Sequence, residues 1–213
     1  MNLIEYLHEK YIFGHRVRAL TRGIEKLLPH QCQLLDVGCG DGLIASRIAK
    51  SRPDLSIEGI DVLVREKTFI PVTAFDGETM PFGDNSFDVL MFVDVLHHTQ
   101  NPEALLCEAR RVSRGIIIIK DHNCDGYLAN ATLRFMDRVG NQRFGVDLPY
   151  SYLSKKSWNI LFREYDFEID SYTQRIGLYP ALLKPFFERS LHFLVRLKTH
   201  KKVNRLSKYA EKI

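Results

Sequence analysis

Short apolar runs alternate with longer amphipathic segments along most of the chain. The apolar runs predict buried strands at residues 33–37, 57–61, 70–74, 89–93 and 116–119. Between and around them, apolar residues recur at helical spacing, which predicts helices over residues 1–28, 42–50, 101–111 and 155–165. Strands that alternate with helices are typical of a doubly wound α/β protein, so we expect a mostly parallel sheet with helices on both faces.

The second half of the chain departs from this regular alternation. Residues 124–153 are longer than a simple connection between a strand and a helix, and an insertion there would lie where α/β sheets bind ligands. Two further strands are predicted over 167–175 and 191–198, which brings the sheet to seven. We expect residues 191–198 to form an antiparallel edge strand paired with 167–175, and an amphipathic helix is the alternative.

Three glycines, Gly38, Gly40 and Gly42, join the first strand to the following helix. Glycines at this spacing allow a tight turn and let a ligand approach main-chain N–H groups at a helix N-terminus. Asp36 comes just before the turn. A carboxylate there would repel the pyrophosphate of a dinucleotide, whereas it suits a ligand with cationic sulfonium and ammonium groups.

Two further acids stand at or near strand ends. Asp61 follows Gly42 by 19 residues and ends the second predicted strand, where a carboxylate can accept both hydroxyls of a ribose. Asp61 alone would also suit NAD. Asp76 comes after the third strand and has no such role in a dinucleotide fold, so Asp36, Asp61 and Asp76 together favour the sulfonium ligand.

The segments LLDVGCGDG, IEGID and FDGETMPFGDNSFDVLMFVDVLHHT resemble motifs of the class I S-adenosylmethionine-dependent methyltransferases, in particular the small single-domain bacterial type. The resemblance covers residues 34–122 and implies a Rossmann-like fold, with S-adenosylmethionine as methyl donor and S-adenosylhomocysteine as product. It also implies that a helix at the N-terminus covers the cofactor. The cofactor-binding residues that it implies are Tyr11, Arg18, Asp36, Gly38, Cys39, Gly40, Asp61, Val62, Asp76, Gly77 and Val93.

A dense polar sequence, Lys120-Asp121-His122-Asn123, ends the fifth predicted strand. A methyl acceptor that is protonated at neutral pH needs a base within hydrogen-bond reach, and histidine suits that role. His122 is our first candidate, with Asp121 orienting it or binding the substrate. His97, which follows the fourth strand beside His98, is the other candidate because those two strand ends should be neighbours.

We expect one domain over residues 1–213. Its parts are a cofactor-covering helix (1–30), a cofactor-binding half (31–122), an acceptor-pocket region (123–158), C-terminal strands (159–198) and a basic tail (199–213). The residues predicted to line the acceptor pocket are Tyr150, Tyr152, Phe144, Trp158, Asp137, Asn141 and Arg143.

The net charge of +4 is unevenly distributed, because residues 184–213 carry +7 and the remainder carries −3. A small-molecule acceptor is the leading expectation, and the basic segment is then a solvated tail. RNA phosphates are an alternative partner for it, and a lipid or quinone at a membrane surface is another, since 178–190 is apolar. The four scattered cysteines suggest neither disulfides nor a metal site. With no signal peptide and no membrane span, we expect a cytoplasmic protein.

Overall fold

The computed structural model describes residues 8–141 and 149–199, which are built around one seven-stranded sheet. The strands are β1 Gln33–Val37, β2 Ser56–Asp61, β3 Val72–Ala74, β4 Phe87–Val93, β5 Ser113–His122, β6 Phe167–Thr173 and β7 His192–Thr199. Their order across the sheet is β3-β2-β1-β4-β5-β7-β6. The first five strands are parallel, and β7 is antiparallel to both β5 and β6. The predicted seven-stranded, mostly parallel α/β sheet is confirmed.

Six α-helices connect or flank the strands in the described part of the chain. They are α1 Gly14–Glu25, α2 Leu43–Ser51, α3 Pro102–Val112, α4 Ala129–Asn141, α5 Lys155–Glu164 and α6 Lys184–Phe187. A π-helical turn, His8–Phe13, leads into α1, and a single 3-10 turn, Leu96–His98, follows β4. The α5 helix begins after Ser154, whose hydroxyl accepts the N–H of Ser157 at 3.0 Å and so satisfies a free donor of the first turn.

Helices cover both faces of the sheet, and the alternation along β4 shows this directly. Val89 and Met91 face a cluster that contains residues of α1 and α2, whereas Leu90 and Phe92 face a cluster that contains residues of α3 and α5. Successive strand residues point to opposite faces, so a strand that is apolar at every position must be buried on both. This explains why β4 reads as an unbroken apolar run.

Several predicted boundaries were wrong. The first α-helix ends at Glu25 rather than at residue 28, and β3 begins at residue 72 rather than 70. The β5 strand extends to His122 instead of ending at residue 119, because β7 pairs with it as far as His122–His192. The strand at the end of the chain pairs with β6 as expected, but it lies inside the sheet, and β6 is the edge strand.

The sheet has its switch point between β1 and β4, because the chain runs from β1 to β2 on one side and returns to β4 on the other. Ligands of open α/β sheets bind in the crevice at the carboxyl ends of such strands. The glycine turn after β1 and the residues after β4 meet there, since a Cβ added to Gly38 would lie 2.7 Å from Val95 Cγ2. Among the described helices, none has the length and apolarity that a membrane crossing requires.

Candidate functional site

The glycine turn, residues 38–42, is a backbone loop with space beside it. Gly38, Gly40 and Gly42 have φ angles of 69°, 61° and 74°, in the left-handed region that favours glycine. A Cβ on Gly42 would clash with Ile70, whereas no atom lies within 4 Å of the position that a Cβ on Gly40 would take. Gly42 is therefore required by packing inside the protein, and Gly40 leaves room for a ligand to approach the backbone.

Two buried carboxyl groups flank this space. Asp36 and Asp61 end the neighbouring strands β1 and β2 and are 4% and 8% exposed. Asp61 Oδ2 accepts the N–H of Gly40 at 2.7 Å, which connects the second strand directly to the glycine turn. Burial, and then the nearby charge of Asp61, raise the pKa of Asp36 well above its ordinary value. A cationic group placed here would relieve both effects, so the donor set fits a ligand that carries an ammonium group.

The expected adenine-side residues also come together. A Cβ on Gly77 would lie 3.1 Å from Val62 Cγ1, which places these two residues in contact. Val62 is 63% exposed, so it leaves an apolar surface open beside Asp61. Asp76 Oδ1 accepts the N–H groups of Glu78 and Thr79 at 2.8 and 2.7 Å. These hydrogen bonds lower the pKa of Asp76 and keep its carboxylate charged.

A second group of polar residues lies at the carboxyl ends of β4 and β5. We call it the polar cluster, and its members are Arg16, Asp94, His97, Lys120, Asp121, His122, Asp137, Tyr152 and His192. Asp94 directly follows β4 and has a φ of 59°, a left-handed conformation that is uncommon outside glycine. Its carboxylate pairs with the fully buried Lys120 and with Arg16, whose Nη2 lies 3.1 Å from Asp94 Oδ2.

Asp121 holds His97 rather than His122. Its Oδ1 lies 2.7 Å from His97 Nδ1, and its Oδ2 accepts the N–H of Leu96 at 3.1 Å. Asp121 contacts the neighbouring residue through the backbone, where it accepts the N–H of His122. Burial lowers the pKa of His97, but the charges and hydrogen bonds of Asp121 and Asp137 outweigh it and raise this pKa to about 10. The pair that we expected, Asp121 orienting the His122 ring, is therefore corrected to Asp121 and His97.

His122 has its ring held by another histidine. Its Nδ1 lies 3.0 Å from Nδ1 of His192, and Nε2 of His192 lies 3.0 Å from the carbonyl oxygen of Phe187. A carbonyl only accepts, so His192 Nε2 donates to it and His192 Nδ1 accepts from His122. The lone pair of His122 is therefore on Nε2. Burial, followed by the charges of Lys120 and His97, lowers the pKa of His122 well below its ordinary value, which keeps the ring neutral.

Comparisons with known proteins agree with this geometry. Residues 35–119 match the family described as a methyltransferase domain. The chain carries a methyltransferase domain. Because the match includes β1, the glycine turn, β2 and β4, it covers the whole cofactor end of the crevice.

Three similar proteins give the extent of the likeness to this methyltransferase. An uncharacterized protein of Methanocaldococcus jannaschii is 29% identical over 188 residues, covering 83% of this chain and 86% of its own. The phthiotriol/phenolphthiotriol dimycocerosates methyltransferase of Mycobacterium leprae is 30% identical over 134 residues, which are 59% of this chain and 46% of that relative. A methyltransferase structure from Thermotoga maritima, described as a possible histamine N-methyltransferase, aligns with a TM-score of 0.61 and 19% identity, covering 92% and 98% of the two chains.

The first helix contributes a residue to the methyltransferase that sequence reasoning missed. Arg18 lines a surface groove with Arg22, Arg47 and Lys50, and Tyr11 is 59% exposed. Arg16 instead enters the polar cluster, where its Nη1 donates to the hydroxyl of Tyr179 at 3.0 Å. Helical spacing could have identified it, because Arg16 precedes the buried Leu20 by four residues and Ile24 by eight. The predicted roles of Tyr11 and Arg18 stay predictions.

The predicted acceptor residues divide into three groups. Asp137 and Tyr152 join the polar cluster, where the Tyr152 hydroxyl donates to Asp137 Oδ2 and His97 Nε2 lies 3.4 Å from the same oxygen. Trp158 belongs to the core, since it packs on Phe162 and Phe193 and donates to the carbonyl of His122. Tyr150 is half-buried, with the Arg134 guanidinium over its ring. Phe144, Arg143 and the Asn141 side chain lie outside the described residues.

Proposed function

We propose that this methyltransferase uses S-adenosylmethionine as its donor and methylates a small-molecule acceptor. The observation that carries the proposal is the buried carboxyl pair Asp36 and Asp61 beside the open backbone at Gly40. The donor carries an ammonium group and a ribose, and these carboxylates supply an ion-pair partner for the first and hydrogen-bond acceptors for the second. Fold relatives described as S-adenosylmethionine-dependent, including the Thermotoga maritima protein, agree with this assignment.

Catalysis in this proposal is chiefly alignment. The sulfonium of the donor is already an activated leaving group, so the protein has to place an acceptor atom in line with the methyl group and the sulfur. The glycine turn, Asp36 and Asp61 would hold the donor on one side. The polar cluster, at the ends of the neighbouring strands β4 and β5, would hold the acceptor on the other.

His122 is the residue of the polar cluster that fits a proton acceptor. Its ring is neutral and its Nε2 lone pair is fixed by the hydrogen-bonded chain through His192 to the carbonyl of Phe187. His97 fits a different task, since the raised pKa keeps its ring positively charged at neutral pH. A charged His97 would orient the acceptor or balance a negative charge on it, and Asp121 would position His97.

Calorimetric titration tests the donor assignment. The wild-type protein should bind S-adenosylmethionine and S-adenosylhomocysteine, and Asp61→Ala should weaken binding by about 1–3 kcal/mol, the size of a lost charged acceptor. Asp54→Ala is the matched control, because Asp54 is an exposed acid that pairs with Arg52. It should leave the affinity unchanged. Binding of NAD without either sulfur compound would contradict the proposal.

A lipid or other long apolar acceptor is a second candidate, and an exposed apolar surface favours it. Two segments that touch through the stacked rings of Phe135 and Phe187 carry apolar side chains into solvent. The exposed residues on these segments are Tyr127 (89%), Leu128 (55%), Phe135 (47%), Leu182 (88%) and Phe186 (63%). Apolar side chains concentrated in one place are typical of surfaces that contact a partner or a membrane. The Mycobacterium leprae relative is itself described as a methyltransferase of a dimycocerosate lipid.

Flotation with vesicles separates the two candidates. If the acceptor is a lipid, the protein should float with vesicles that contain anionic lipid, and Leu182→Ser with Phe186→Ser should abolish flotation. Exposed Ile160→Ser, at a site in α5, is the control and should change nothing. A protein that stays wholly in the aqueous fraction would rule out the lipid acceptor and leave the small polar one.

A further inference from the structure

Three side chains from separate segments point donor atoms at one another inside the polar cluster. His97 Nε2 lies 3.4 Å from Asp137 Oδ2, and His122 Nε2 lies 4.0 Å from Asp137 Oδ1. Two ligands of a tetrahedral zinc ion are about 3.3 Å apart when the bonds are 2.0–2.1 Å long. The observed separations are close to that value, so small movements of the side chains would bring the three donors around one ion.

The outer nitrogens of both histidines are already held. His97 Nδ1 is bonded to Asp121, and His122 Nδ1 is bonded to His192, so in each ring it is Nε2 that faces Asp137. Metal-binding histidines usually donate their other N–H to a carboxylate or a carbonyl, which fixes the tautomer and the ring orientation. The Tyr152 hydroxyl holds the carboxylate of Asp137 in the same way.

His97 Nε2 provides an independent sign that a ligand belongs here. The side chain has no solvent exposure, and this nitrogen makes no hydrogen bond within the part of the chain that the structure describes. Buried polar atoms in native proteins nearly always have a partner, so one without any needs an explanation. An ion between His97, His122 and Asp137 would supply the partner.

Asp94 is a weaker ligand than Asp137, although one of its oxygens lies 3.4 Å from His122 Nε2. Its carboxylate is neutralised by Lys120 and Arg16, and a metal ion on it would have to approach the Lys120 ammonium group. His98 is a possible fourth donor, since ligand atoms of His97, His98 and Asp137 lie within 4.8 Å of one another.

We propose that His97 Nε2, His122 Nε2 and the Asp137 carboxylate bind a divalent transition-metal ion, for which zinc is the best match. Imidazole ligands suit zinc, iron, copper and nickel rather than magnesium or calcium. Three protein ligands that leave a position open are typical of zinc ions that bind a substrate. The sequence spacing gave no sign of this site because the ligands are 25 and 15 residues apart and follow no metal-binding motif.

The open position would take the methyl acceptor, so the ion deepens the proposed function and this part rests on it. A bound zinc ion lowers the pKa of a coordinated oxygen, as it does for water. An acceptor hydroxyl would then lose its proton to solvent on binding and present a metal-bound oxygen to the methyl group. The lone pair of His122 cannot bind the ion and accept that proton at once, so the two roles exclude each other.

Zinc titration of the chelator-stripped full-length protein, in buffer with a non-coordinating reductant, tests the site. Wild type should bind one zinc ion, and His122→Gln and Asp137→Asn should each weaken binding at least 100-fold. Asp121→Asn should weaken it about 10–100-fold, as expected for a residue that positions a ligand. Exposed His30→Gln is the control and should bind as wild type does. Absence of stoichiometric binding, or binding that both ligand variants leave unchanged, would overturn the proposal.

Two further measurements keep the test decisive. If the variants unfold, the cobalt-loaded wild type should show the absorption of a tetrahedral site with nitrogen and oxygen ligands. A thiolate charge-transfer band would instead place the ion on cysteine and overturn the proposal. Binding of S-adenosylmethionine, measured with and without zinc, reports on the donor site alone, so failure of the metal site and failure of the proposed function remain distinguishable.

Discussion

The two ends of the crevice are built differently. The glycine turn and Asp36 lie within seven consecutive residues, and the backbone itself forms much of that end. The polar cluster instead draws side chains from α1, the ends of β4 and β5, α4, the segment before α5 and the start of β7. A local backbone structure is encoded by neighbouring residues, whereas a cluster of distant side chains exists only after the chain has folded.

The two ends also differ in their charge balance. At the glycine turn two acids stand together, and burial raises the pKa of Asp36, so this end favours an added cation. At the polar cluster Asp94 is already paired with Lys120 and Arg16, and Asp121 is paired with His97. The first end is prepared for a charged ligand, and the second is held together by its own ion pairs.

The largest expected effect comes from breaking those ion pairs. Asp94→Asn would leave the Lys120 ammonium group buried and without its carboxylate, and we expect the free energy of unfolding to fall by about 3–5 kcal/mol. Denaturant unfolding measures the change. Combining it with Lys120→Met should restore most of the stability, because the buried charge is then removed with its partner.

Asp170 provides a matched control for Asp94. It also pairs with two cations, Arg196 and Lys198, but on the solvent-exposed edge of the sheet. Asp170→Asn should change stability far less, since exposed ion pairs are screened by water. Equal losses for Asp94→Asn and Asp170→Asn would mean that the polar cluster is no more demanding than a surface pair.

This difference between local and distant residues decided what the sequence could predict. The turn at Gly38, Gly40 and Gly42 and the acids after β1 and β2 were recognisable because strand ends and glycines are marked in a continuous pattern. The partner of Asp121 was not. Asp121 and His122 are adjacent in the chain, but neighbours on a strand point to opposite faces, so Asp121 meets His97 from the next strand.

The fold was predicted more completely than the polar cluster, and its errors have the same origin. Strand β7 alternates like an edge strand, as Arg196 and Lys198 interrupt its apolar residues. It is nevertheless an inner strand, because Arg196 pairs with Asp170 on the neighbouring β6. An ion pair between strands satisfies a charge that periodicity alone assigns to solvent.

A pair of glycine variants sharpens the comparison at the other end, with a smaller effect on stability. Gly42→Ala adds a clash with Ile70 to the strain of a left-handed φ, and we expect a loss of roughly 2–4 kcal/mol in unfolding free energy. Gly40→Ala has the same kind of φ but no neighbour within 4 Å, so the loss should be nearer to about 1–2 kcal/mol.

Ligand binding should rank the two glycine variants in the opposite order to stability, per folded molecule. Gly40→Ala places a methyl group in the space proposed for the donor, so calorimetry should show a loss of S-adenosylmethionine affinity on the order of 10-fold or more. Gly42→Ala, measured at a temperature where it is folded, should lose less. If Gly40→Ala binds as tightly as wild type, the donor does not approach this part of the turn.

The smallest change, Asp36→Asn, should make the ligand-free protein more stable. A carboxyl group whose pKa is raised by folding favours the folded state only at low pH, and this contribution is lost as the pH rises from its ordinary pKa of 3.8 toward the raised value. At neutral pH the buried charge therefore opposes folding. Asparagine keeps the shape without the charge, so the unfolding free energy should rise by about 1 kcal/mol.

The same substitution should weaken donor binding about 10-fold or more, because the ammonium group would lose its charged partner. Thermal unfolding between pH 4 and 8, with and without S-adenosylmethionine, measures both effects in one experiment. The variant should lack the part of the pH dependence that Asp36 contributes, and the ligand should raise its melting temperature less than that of wild type. A variant that is less stable and binds as well as wild type would make Asp36 a structural residue. Opposite signs for stability and binding would instead mean that this carboxylate is kept for its ligand, whereas Asp94 is kept for the fold.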